Sequence, residues 1–80
     1  MSKHDRRIMG IKWHCLRAGR WWSAERKILA EHHFSGGANS EWCGYRSEDG
    51  DPEKVDRCDY EYYSLTFTEL ARDVARGIRR

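Results

Sequence analysis

Ser23-Ala24-Glu25-Arg26-Lys27-Ile28-Leu29-Ala30-Glu31-His32-His33 is the stretch on which the fold turns. Ala-Glu-Arg-Lys followed by Ile-Leu-Ala-Glu is a run of strong helix formers, and Ser23 fits an N-cap. Ser35-Gly36-Gly37 supplies a stop at the far end. The stretch therefore predicts a helix over 23–33, with a narrow apolar face of Ala24, Ile28 and Leu29. Trp21 and Trp22, in the turn before it, must add the missing bulk.

Upstream, every second residue from Met9 to Cys15 is apolar, with Gly10, Lys12 and His14 on the other face. That alternation predicts a half-buried strand. Downstream, 41–46 and 55–63 are rich in aromatic residues and flank Ser47-Glu48-Asp49-Gly50-Asp51-Pro52-Glu53, a run of turn chemistry. The two segments predict a hairpin with a long tip. At the C-terminus, Thr66-Phe67-Thr68-Glu69 matches a capping box, and Leu65 before it can staple onto Leu70. Phe67, Leu70, Ala71, Val74 and Ile78 then form one helical stripe, so a helix is expected over 66–79. The order is β-α-β-β-α: an α+β fold, a three-stranded, largely antiparallel sheet with two helices on one face. Ile11, Trp13, Ile28, Leu65, Phe67, Leu70, Val74 and Ile78 are the expected core. One domain spans 1–80, with 1–7 flexible.

Eighty residues with 15 Lys+Arg against 13 Asp+Glu leave a net charge of +2, which conceals an uneven distribution. Residues 1–30 carry eight basic and two acidic side chains, or +6. Residues 31–61 carry three and nine, or −6, and 62–80 carry four and two, or +2. The segments can neutralise each other within one fold, steer a charged partner, or meet across a homodimer. A dimer is slightly favoured, through this charge match or through an open strand edge. No apolar run is long enough for a transmembrane helix. Met1-Ser2-Lys3-His4-Asp5-Arg6-Arg7 leads into no hydrophobic stretch, so no signal peptide is expected and the setting is cytoplasmic.

Cys15, Cys43, Cys58, His14, His32 and His33 could in principle bind zinc. Structural zinc sites use ligand pairs spaced by about two to four residues, and no such pair of cysteines occurs here. His14 and Cys15 are adjacent on a strand and point to opposite faces. No metal and no cofactor is expected. A hairpin centred between Gly50 and Asp51 would set Cys43 opposite Cys58, close enough for a disulfide. In a reducing compartment the favoured reading is two small apolar residues in contact. Cys15 or Cys43 beside a histidine could make a nucleophile, but no nucleophile elbow is present and so short a chain rarely encloses a pocket. His32-His33 suits a helix end. Glu48-Asp49-Gly50-Asp51 lacks the spacing and final Glu of a calcium loop. The chain is expected not to be an enzyme.

Two binding readings remain. In the first, Asp56, Asp59, Glu61 and Tyr63, with Glu48, Asp49 and Asp51 from the tip, form an acidic, tyrosine-bearing surface for a basic protein partner. In the second, Arg6, Arg7, Lys12, Arg17 and Arg20, interleaved with Trp21 and Trp22, bind nucleic acid by phosphate neutralisation and base stacking. In size, single-domain layout and lack of a catalytic signature, the chain resembles the small inhibitor proteins of phages and mobile elements, the anti-CRISPR proteins among them. That resemblance implies a non-enzymatic inhibitor that occupies a basic surface of a larger protein or ribonucleoprotein complex. The acidic segment would be its contact.

Overall fold

A computed structural model describes residues 5–34 and 40–79. Six strands run in chain order across one antiparallel sheet: β1 (Asp5–Ile8), β2 (Ile11–Arg17), β3 (Arg20–Ser23), β4 (Ile28–Phe34), β5 (Ser40–Arg46) and β6 (Tyr62–Ser64). One helix, α1 (Phe67–Arg76), lies across one face. The architecture is a meander with a single C-terminal helix, not a three-stranded sheet with two.

The stretch 23–33 is where the sequence expectation fails. Ser23 does accept the backbone N–H three residues on, from Arg26 at 3.2 Å, as an N-cap would. That bond closes a turn instead of starting a helix. The chain reverses at Lys27, whose φ of 57° is left-handed, and runs back as β4 with Ser23 paired to Ile28. Ile28, Leu29 and Ala30 are consecutive and all 0% exposed. A helix would bury only one stripe of this run, whereas a central strand covered on both faces buries every residue. Tertiary burial outweighs a helix propensity worth a few tenths of a kcal/mol per residue. Ser35, Gly36 and Gly37, expected to end the helix, lie outside the described residues.

The first strand is also shifted. Met9 and Gly10 both have positive φ, 51° and 83°, and form a two-residue turn between β1 and β2. This is the backbone of a tight hairpin, and only Gly adopts it at no steric cost. Asp5 to Arg7, expected within a flexible arm, are therefore paired in β1. Residues 55–61 form no strand; β5 pairs instead with the short β6, Cys43 opposite Tyr63.

The helix begins as expected, with Thr66 Oγ1 accepting the Glu69 N–H at 3.2 Å. It ends at Arg76 and not at Arg79. Gly77 takes the left-handed conformation, its N–H bonding to Val74 O and that of Ile78 to Asp73 O. This pair of bonds is a Schellman stop. Phe67, Leu70, Ala71 and Val74 bury against Ile11, Trp13, Ile28, Ala30 and Tyr62. Leu65 (65% exposed) and Ile78 (53%) are outside that core, so the staple does not form. Among the described residues, no helix is long and apolar enough to cross a membrane.

Candidate functional site: a charged face under a long loop

Strand alternation gives the sheet two different faces. One meets α1. The other carries Asp5, Arg7, Lys12, His14, Arg20, Trp22, Leu29, Glu31, His33, Cys43 and Tyr45, as the pairings His14–Trp22–Leu29–Tyr45 and Arg20–Glu31–Cys43 show. The segment 47–61 between β5 and β6 is irregular apart from isolated turns. Loops of this length without regular structure are uncommon and often functional.

Charges beneath the loop hold it. Arg57 donates to both carboxylate oxygens of Glu31, at 2.8 and 3.0 Å. Glu31 also has Arg20 Nε at 3.2 Å and His33 Nε2 at 3.3 Å. The Arg20 contact is one of charge, because its buried Nε and Nη2 lack hydrogen-bond alignment. The Arg57 hydrogen bonds, supported by the other cations, hold the Glu31 carboxyl below its ordinary range against the opposing effect of burial. Tyr45 shares His33 through a 3.0 Å hydrogen bond, and burial pushes its phenol well up. Ser47, fully buried, closes the loop's first turn by donating to Asp51 O and accepting Asp51 N–H. At the other end Arg46 Nε donates to Glu61 at 2.9 Å, with Arg79 3.7 Å from the same carboxylate.

These contacts divide the expected protein-binding set. Glu48, Asp49, Asp56 and Asp59 are exposed, together with Glu53. Asp51 and Asp56 each accept a backbone N–H inside the loop, from Glu53 and Cys58. Glu61 is committed to Arg46, and Tyr63 donates to Glu41 at 2.9 Å. Cys58 is exposed and remote in register from Cys43, so the pair expected opposite each other is not.

The expected nucleic-acid set is scattered. Arg6 and Trp21 lie on the helix face, where the guanidinium sits 5.7 Å from the Trp21 ring and Trp21 stacks on Phe67 at 5.1 Å. Phe67 also meets Trp42, which stacks on His32, and exposed Phe34 meets the His32 edge. Arg7, Lys12 and Trp22 lie on the opposite face. Arg20 is buried against Glu31, and Arg17 is exposed at the end of β2. Adjacent residues of a strand cannot share a surface, which is why a run compact in sequence disperses in space. His32 and His33, expected at a helix end, sit in β4. The +6 and −6 segments meet directly through Arg20, which contacts both Glu31 and Glu53.

The same charged face holds a grouping that the sequence reading missed. A cleft of about 460 Å³ is lined by Asp5, Arg7, Lys12, His14, Trp22 and Glu25. Asp5 Oδ1 is 2.7 Å from His14 Nδ1 and its Oδ2 is 3.4 Å from Lys12. The hydrogen bond to His14 and the nearby Lys12 hold the Asp5 carboxyl below its ordinary value. A two-residue turn at Met9-Gly10 sets Asp5 opposite His14. That turn is the available signal, and the apolar alternation from Met9 to Cys15 masks it.

No protein-family model matches the chain, no curated protein matches it, and no solved structure matches it.

Proposed function

We propose that this chain is a binding protein that presents the 47–61 loop to a basic surface of a larger protein or ribonucleoprotein complex, as a small inhibitor would. One observation carries the reading: the loop's outward charge is mostly negative. Arg57 turns down onto Glu31 and Glu53 reaches Arg20, while Glu48, Asp49, Asp56 and Asp59 stay exposed with Lys54 as the cation among them. A loop anchored from below loses little further entropy on docking, and outward carboxylates steer a cationic partner. The binding is placed in the cytoplasm, where thiols such as those of Cys15 and Cys58 stay reduced.

The test is capture from nuclease-treated lysate with the wild-type chain and with Asp56→Lys/Asp59→Lys. These two carboxylates can be reversed without touching the Arg46–Glu61 pair. The expected result is a partner lost on reversal, with weakening as salt rises and only a small drop in melting temperature from the lost Asp56–Cys58 hydrogen bond. A partner held equally well by the reversed loop would remove the loop from the interface.

Nucleic-acid binding has one observation in its favour, the placing of Arg6 over Trp21 and Phe67 beside a row of aromatic rings. Arg6→Glu should then weaken single-stranded nucleic acid and leave the protein partner bound.

A further inference from the structure

We propose that the cleft between β1, β2 and the β3–β4 turn cleaves single-stranded RNA by internal transphosphorylation, with His14 as its proton acceptor. The chemistry is read from what lines the cleft. Asp5, with a side chain only 10% exposed, bonds His14 Nδ1 at 2.7 Å, and His14 itself is 52% exposed. A carboxylate on Nδ1 fixes the tautomer with the proton there, leaving the Nε2 lone pair as the free base. An oriented imidazole in a cleft is the equipment of general base catalysis.

The lining residues contain no hydroxyl or thiol, and Cys15, next to His14 in sequence, points to the helix face. Carboxylate, amine and imidazole can also act as nucleophiles, but Asp5 is engaged by both Lys12 and His14 and so holds the imidazole for proton transfer, and the nucleophile is therefore assigned to the substrate. Arg7 and Lys12 line the same cleft and favour an anion, although Arg7 also donates to Gly10 O at 3.4 Å and Lys12 faces Asp5 at 3.4 Å. An anionic substrate that carries its own hydroxyl beside the reacting centre is an RNA phosphodiester with its 2′-OH.

The step balances without any other reactant. His14 Nε2 accepts the 2′-OH proton as the 2′-oxygen bonds to phosphorus. The bond from phosphorus to the 5′-oxygen breaks, and that oxygen takes a proton from the Lys12 ammonium, which regains one from water. The products are a 2′,3′-cyclic phosphate and a 5′-hydroxyl end, and the imidazolium returns its proton to solvent. Arg7 and Lys12 offset charge on the non-bridging oxygens. Asp5 touches no substrate atom and is a positioning residue. Glu25, at the cleft, opposes the phosphate. The reading does not depend on the acidic loop, which lies over β4 and β5.

The test incubates the full chain with a single-stranded RNA oligonucleotide of mixed sequence, and with its all-deoxy counterpart, in the presence of a chelator. RNA should be cut to fragments with 2′,3′-cyclic phosphate ends while the DNA stays intact. His14→Gln should lower the rate by about 100-fold or more. Asp5→Asn should lower kcat, because the imidazole is misoriented, without raising KM, because a negative charge beside Lys12 is removed with it. Glu25→Gln should lower KM. All three variants should melt as folded proteins. Intact RNA, or equal cutting by wild type and a folded His14→Gln variant, overturns the proposal. Loss of cutting in Asp56→Lys/Asp59→Lys with His14 in place would also count against it, because it would move the RNA site to the loop.

Discussion

Arg57 and Glu31, 26 residues apart in the chain, are joined by two hydrogen bonds, Nε to Oε1 at 2.8 Å and Nη2 to Oε2 at 3.0 Å. This pair decides how the irregular segment after β5 lies on the sheet. A planar guanidinium meeting a carboxylate side by side fixes direction as well as distance. The loop backbone therefore has one preferred placement over Glu31, and the acidic side chains flanking Arg57 are left outward.

Arg57→Ala should loosen the loop at a cost of about 1.5–3 kcal/mol, the range for hydrogen bonds to charged groups. Arg20 and His33 still face Glu31 after that change, so its charge is not stranded. Glu31→Ala is the harsher substitution, because it leaves the buried Arg20 with only the exposed Glu53 carboxylate, 3.5 Å away, and about 3–5 kcal/mol is expected. Urea denaturation of both variants checks the order. Equal losses would mean that Arg20 finds another partner and that the centre of the cluster is elsewhere.

Acid should weaken the fold through Glu31 and Glu61. Hydrogen bonds from Arg57 and Arg46 hold these carboxyls below the ordinary value of 4.5. A depressed folded value means that the unfolded chain binds protons first as pH falls. The stabilisation is thus complete above 4.5 and is lost as pH drops below it through the folded values. Denaturation midpoints should be level between pH 7 and about 5.5 and decline below pH 4.5. Glu31→Gln, less stable at pH 7, should show a shallower decline. A midpoint independent of pH down to 3 would contradict the ion-pair assignment.

Leu70 and Leu65 separate the true core from the expected one. Leu70 is fully buried under the sheet, and Leu70→Ala should leave a cavity costing about 2–5 kcal/mol. Leu65, before the cap, is exposed, and Leu65→Ala should change stability by no more than about 0.5 kcal/mol. A large loss at Leu65 would restore the hydrophobic staple that the structure lacks.

The C-terminal helix was legible at its start, where a capping threonine and the Phe67–Val74 stripe agree, while its stop at Gly77 falls short of the expected 79. The sheet was less legible because its signals conflict. Around Ser23, the serine and the charged run after it support a helix, and only the shared burial of Ile28, Leu29 and Ala30 on both faces decides for a strand. That burial depends on β3 and β5 lying alongside, which no local window reports. The cleft was illegible for the same reason, since Asp5 and His14 become neighbours only through the turn at Met9-Gly10. The acidic loop was visible as a loop, but Arg57 and Glu61 could not be seen to face inward from spacing alone.

Gly44 of β5 is paired with Tyr62 of β6 and has no room for a side chain. A Cβ there would stand 3.0 Å from Tyr62 Cβ and 3.4 Å from Ile28 Cγ2. Neither neighbour is a flexible tip, since both belong to the buried core. Gly44→Val should therefore push β6 from the sheet and cost about 1–3 kcal/mol, the usual range for overpacking. Amide exchange should accelerate first at Tyr62–Ser64. Unchanged exchange there would show that β6 is not pressed against Gly44.

The three cysteines should react with thiol reagents in an order set by burial. Cys58 is exposed at the outer surface of the loop, Cys15 is half-buried on the helix face, and Cys43 is buried opposite Tyr63 under the loop. A thiolate reacts only where reagent reaches it, so Cys58 should be labelled first and Cys43 only after local opening. Because the loop covers Cys43, Arg57→Ala should speed labelling there while leaving Cys58 unchanged. Mild oxidation should not join Cys43 to Cys58, since one is buried beneath the loop and the other faces solvent. Mass spectrometry after timed labelling reads all three outcomes. Rapid labelling of Cys43 in the wild-type chain would show that the Arg57–Glu31 pair does not hold the loop down.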